Sequence, residues 1–72
     1  MLVQTTMTEN NKMCYSLEAR GTKYEVIEDG EFYAVWSKRN SLTNTQLVLM
    51  TLKEMKARCK ALNHLATLIE MA

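Results

Sequence analysis

Strand-forming, alternating segments fill the middle of the chain, and a helical pattern occupies its C-terminal part. Two glycine-containing breaks, Arg20-Gly21 and Asp29-Gly30, divide residues 13–37 into three segments rich in Val, Ile, Tyr, Phe and Trp, the residue types that favour strands. The Asp-Gly pair suits a two-residue type I′ hairpin, which sets Ile27 opposite Phe32, Val26 opposite Tyr33 and Lys23 opposite Trp36. Arg20-Gly21 as a two-residue loop sets Glu18 opposite Lys23, Leu17 opposite Tyr24, Tyr15 opposite Val26 and Cys14 opposite Ile27. The salt pair and the aromatic–β-branched pair are both favourable cross-strand neighbours.

The two registers agree on the faces. Tyr15, Leu17, Tyr24, Val26, Tyr33 and Val35 share one side, while Cys14, Ser16, Glu18, Lys23, Glu25, Ile27, Phe32, Ala34 and Trp36 share the other. A slip of one residue in either hairpin would mix them. The first face is expected to receive a helix. The second is expected to leave Ile27, Phe32 and Trp36 in solvent, ringed by Glu18, Lys23 and Glu25. An apolar centre with a charged rim is the pattern of a protein-binding patch, and Trp is a favoured anchor.

Downstream, Val48, Leu52, Met55, Cys59, Leu62, Ala66 and Ile69 follow a 4-3-4-3-4-3 spacing, one seam of a helix. Leu47, Met50, Ala57, Ala61, Leu65 and Leu68 form a second apolar group beside it. Thr43 and Gln46 have the spacing of a capping box, Leu42 and Leu47 that of a hydrophobic staple, and Ser41 is a second cap candidate. No Gly or Pro interrupts the chain from there on. The spacing therefore predicts one helix over about 44–70, after a three-stranded antiparallel meander over about 13–37. The expected fold is α+β, in the order βββα, with residues 1–12 as a disordered tail and 13–72 as a single domain.

Such a helix is about 40 Å long, against strands of roughly 20–23 Å. The overhang predicts a homodimer, or a higher even-numbered oligomer, joined through Val48, Leu52, Met55, Leu62, Leu65, Ala66, Leu68 and Ile69. Chain length supports this expectation, because 72 residues lie near the size at which one core needs reinforcement. Two cysteines, Cys14 and Cys59, make no disulfide framework and point to a reducing cytoplasm. Residues 1–12 lack the apolar core of a signal peptide, and charged residues interrupt every apolar run before it reaches membrane-spanning length.

Charge is unevenly placed. Residues 1–36 hold three Lys/Arg against six Asp/Glu, and residues 37–72 hold six against two. Lys53, Lys56 and Lys60 would form one basic ridge on the predicted helix, extended by Lys38 and Arg39, and such a ridge can contact phosphates. The order of three strands and a helix resembles the latter part of double-stranded-RNA-binding domains. The basic cluster those domains carry at the start of their last helix is absent from Thr43 to Gln46, so no family is assigned.

Catalytic inventory is thin. His64 is the only histidine, with no nucleophile and orienting group predicted beside it. Cys59 and His64 point about 140° apart on a helix, which argues against a metal pair, and two glycines make no phosphate-cradling loop. The chain reads as a non-enzymatic, cofactor-free protein-interaction module. It is of the small, motif-free type common among phage and mobile-element accessory factors, including inhibitors of host proteins. Nucleic-acid binding through Lys38, Arg39, Lys53, Lys56 and Lys60 is the alternative.

Overall fold

The computed structural model describes residues 2–40 and 44–72. Five strands, β1 (Val3–Met7), β2 (Met13–Ala19), β3 (Thr22–Asp29), β4 (Phe32–Arg39) and β5 (Gln46–Met50), form one antiparallel sheet in sequential order. Two helices follow, α1 (Leu52–Arg58) and α2 (Lys60–Met71). The α+β class is as expected, but the architecture is not a three-stranded meander with one long helix.

The β2–β3 register matches the sequence reading pair for pair, from Cys14–Ile27 to Glu18–Lys23. Arg20 and Gly21 both take positive φ, +51° and +76°, as a type I′ loop demands. The β3–β4 register differs by two residues. Asp29 pairs with Phe32, so the loop is Gly30-Glu31, and Val26 faces Val35 instead of Tyr33. Gly30 has φ +65° whereas Glu31 is not left-handed; glycine at the first loop position is the type II′ preference. A two-residue shift preserves the faces, so the side assignments survive.

Residues 3–7, expected in a disordered tail, form β1 and pair with β2 from Val3–Leu17 to Met7–Met13. The connection closes through Thr8 and Lys12, with Asn11 at φ +60°, a conformation asparagine tolerates well. β-Branched Thr5 and Thr6 suit the pleat.

Residues 46–50, expected in the first turns of the helix, form β5 against β4. The helix begins instead at a capping box: Thr51 accepts from the Glu54 amide at 3.2 Å, and the Glu54 carboxylate accepts from the Thr51 amide at 3.2 Å. Thr43, Leu42 and Ser41, the expected cap, staple and second cap, lie outside the described residues. At Cys59 the backbone is extended (φ −163°, ψ 169°), so the helix breaks there. Asn63 from α2 donates to the Lys56 carbonyl at 3.2 Å, and Lys56 pairs with Glu70. These contacts fold α1 against α2.

The break removes the overhang. Met55, Leu62, Leu65 and Ala66 are buried in the chain's own core with Leu17, Val26, Val35 and Met50, and Leu52 and Ile69 pack at its margin. The helix seam that was expected to join two copies is occupied at home. Val48 sits on β5 opposite Val35, on the helix side of the sheet, and Leu68 is half-buried on α2.

Candidate functional site: the open face of the sheet

Helices cover one face of the sheet and leave the other open. On the open face the register aligns side chains in rows running across the strands. One row is Thr6–Cys14–Ile27–Ala34–Leu49; the next is Gln4–Ser16–Glu25–Trp36–Leu47. Phe32 lies beyond the first row, opposite Asp29. Small residues form the floor, since Cys14 and Ala34 are buried under their neighbours. The large ones stand clear: Phe32 is 44%, Trp36 37%, Leu47 47% and Leu49 53% exposed.

The apolar cluster therefore lies toward β4 and β5. Charges border it on one side, where Lys23 lies 3.4 Å from Glu25 and opposite both Glu18 and Lys38. Asn40 donates to Glu18 at 3.1 Å and ties down that corner. A shallow hollow of about 610 Å³ runs between Lys23, Glu25, Ile27, Trp36, Lys38 and Thr45. Burial pushes the Cys14 thiol above its ordinary value, with nearby Glu25 adding to the effect and the Thr6 hydrogen bond and Lys23 opposing it. A thiol so placed stays protonated and unreactive.

Ile27, Phe32 and Trp36, the three residues picked out from sequence, thus share this face, with Ile27 half-buried. Leu47 and Leu49 were missed because they were assigned to a helix. Their signal was present: Thr51-x-x-Glu54 is a stronger helix start than Thr43-x-x-Gln46, and it frees Leu47–Met50 to be a strand.

The expected basic residues do not form one ridge. Lys38 and Arg39 are neighbours on β4 and so project to opposite faces. Lys53 and Lys56 belong to α1, Lys56 is paired with Glu70, and Lys60 begins α2 beyond the break. Arg39 and Lys60 do meet Arg20, Asn40, Tyr24 and Cys59 around a cleft of about 960 Å³. There the Cys59 thiol donates to the Tyr24 hydroxyl at 3.9 Å. Burial, and after it Cys59, raises the Tyr24 hydroxyl above its usual range.

Among the described residues no group of three or more His, Cys, Asp or Glu is placed to hold a metal ion. Among the same residues no helix is long and apolar enough to cross a membrane. No protein-family model matches the chain, and no curated protein or solved structure does either.

Proposed function

We propose that this chain is a small, non-enzymatic protein-binding module of the cytoplasm that docks a partner protein on its open sheet face. The supporting observation is the exposed cluster of Phe32, Trp36, Leu47 and Leu49 over a floor of Ala34 and Ile27. Contiguous apolar surface with a polar margin is uncommon on a face that stays wet, and aromatic anchors dominate binding energy. The partner surface is apolar at its centre and carries both signs of charge where it meets Lys23, Glu25 and Lys38.

A photocrosslinking residue at position 36, compared with one at Lys53 on the helix layer, tests this in the native host. Crosslinks to one discrete protein from position 36 and not from position 53 are expected. Trp36→Ala should lose capture by other open-face positions while keeping the circular dichroism of the parent. Capture from position 53 alone would contradict the reading.

Nucleic-acid binding is the second reading, favoured by the cleft that gathers Arg20, Arg39 and Lys60. It predicts a mobility shift of labelled DNA or RNA that weakens steeply with salt. Lys60→Ala should then reduce that salt dependence.

A further inference from the structure

We propose that β5 pairs antiparallel with β5 of a second copy of this chain, across a two-fold axis through Val48. This does not rest on the open-face reading. β5 lies at one edge of the sheet, and an edge strand offers unpaired backbone donors and acceptors. Native edges are usually blunted by lysine, proline or a bulge. None protects β5: the segment Thr45–Thr51 contains no charged residue and no proline, and its ladder with β4 runs one-to-one without a bulge.

The segment is also nearly palindromic: Thr45-Gln46-Leu47-Val48-Leu49-Met50-Thr51. Antiparallel pairing about Val48 sets Thr45 opposite Thr51, Gln46 opposite Met50 and Leu47 opposite Leu49, with Val48 facing its copy. Threonine pairs and apolar pairs are favourable across strands, and no like charges meet. A foreign strand has no need of this symmetry, whereas an isologous contact between identical chains requires self-complementarity. The opposite edge, β1, has Gln4, Thr5 and Thr6 at its middle and offers less apolar surface.

Pairing would merge two five-stranded sheets into one of ten strands. On the open face it would bring four leucines together, flanked by the Trp36 of each copy. On the helix side it would cover Val48, which is 38% exposed. One short strand per copy buries less than the roughly 800 Å² per partner of a standard interface. The dimer is accordingly weak, in the micromolar range.

Sedimentation velocity of the full chain, from low micromolar to sub-millimolar concentration, should show a monomer–dimer equilibrium. The Leu47→Lys/Leu49→Lys chain surrounds the axis with four lysines and should dissociate at least about tenfold more readily. In the Leu47→Lys/Leu49→Glu chain each lysine faces the partner's glutamate, and dimerisation should recover relative to the double-lysine chain. Phe32→Ala should leave self-association unchanged, which separates this result from open-face binding. Should the double-lysine chain fail to fold by circular dichroism, Val48→Cys in a Cys59→Ser background supplies the test. It should oxidise to a disulfide dimer faster than Leu47→Cys, which faces residue 49 of its partner. A chain monomeric throughout the range, a double-lysine dimer as tight as the parent, no recovery in the Lys/Glu chain, or equal oxidation at 47 and 48 would each overturn the proposal.

Discussion

Arg20 sits at φ +51°, where a side chain with Cβ costs about 1 kcal/mol. The loop needs two left-handed residues, and only Gly21 adopts that region freely. Asparagine's short polar side chain offsets part of that cost, so Arg20→Asn should raise unfolding free energy by about 0.5 kcal/mol, read from urea titration as a higher midpoint at unchanged slope. The tyrosines set a second expectation. Burial raises both Tyr24 and Tyr33 above their ordinary 10.0, with Cys59 adding to the first and Glu28 to the second. Their hydroxyls thus hold protons more tightly in the folded chain than in the unfolded one. Stability from this source is complete below the unfolded value and falls as pH rises through the folded values. Urea midpoints should decline above about pH 10, and Tyr24→Phe/Tyr33→Phe should flatten that decline.

One stretch expected as helix is a strand, and the reason lies in its composition. Leu47–Met50 is an unbroken apolar run, which periodicity alone cannot divide between strand and helix. Both faces of β5 carry apolar side chains because Leu47 and Leu49 join the open-face cluster while Met50 enters the core. By contrast, β2, β3 and β4 alternate, so their faces could be read directly and survived a two-residue error in one register. That error had a local cause, since glycine at the first loop position serves a type II′ turn as well as Asp-Gly serves a type I′. The helix boundary rests on Thr51 and Glu54. Thr51→Ala removes the hydroxyl that accepts from the Glu54 amide, leaving the residue-51 amide to donate to the Glu54 carboxylate, and should cost about 1 kcal/mol. In a helix begun eight residues earlier the same change would fall in the helix interior and be neutral or stabilising, so thermal or urea unfolding of this variant distinguishes the two starts.

The molecule closes one side of its sheet with its own helices and leaves the other open. A continuous 44–70 helix would have carried Ala66 and Ile69 past the end of the sheet. The extended Cys59 prevents this by turning α2 back over β2 and β3. No sequence signal of glycine or proline marks that break. It is set by tertiary packing, in which Met55 and Leu65 become wholly buried, and by Asn63 satisfying a carbonyl at the end of α1. The open-face residues Phe32 and Trp36 were visible in sequence because alternation alone placed them; Leu47 and Leu49 needed the fold. Hydroxyl-radical footprinting of the free chain at high dilution tests this division most directly. Met50 and Met55 should resist oxidation while Met7, Met13 and Met71 react, and Phe32, Trp36, Leu47 and Leu49 should all be labelled. Oxidation of Met55 as fast as Met71, or protection of Phe32 and Trp36 in the dilute chain, would contradict it.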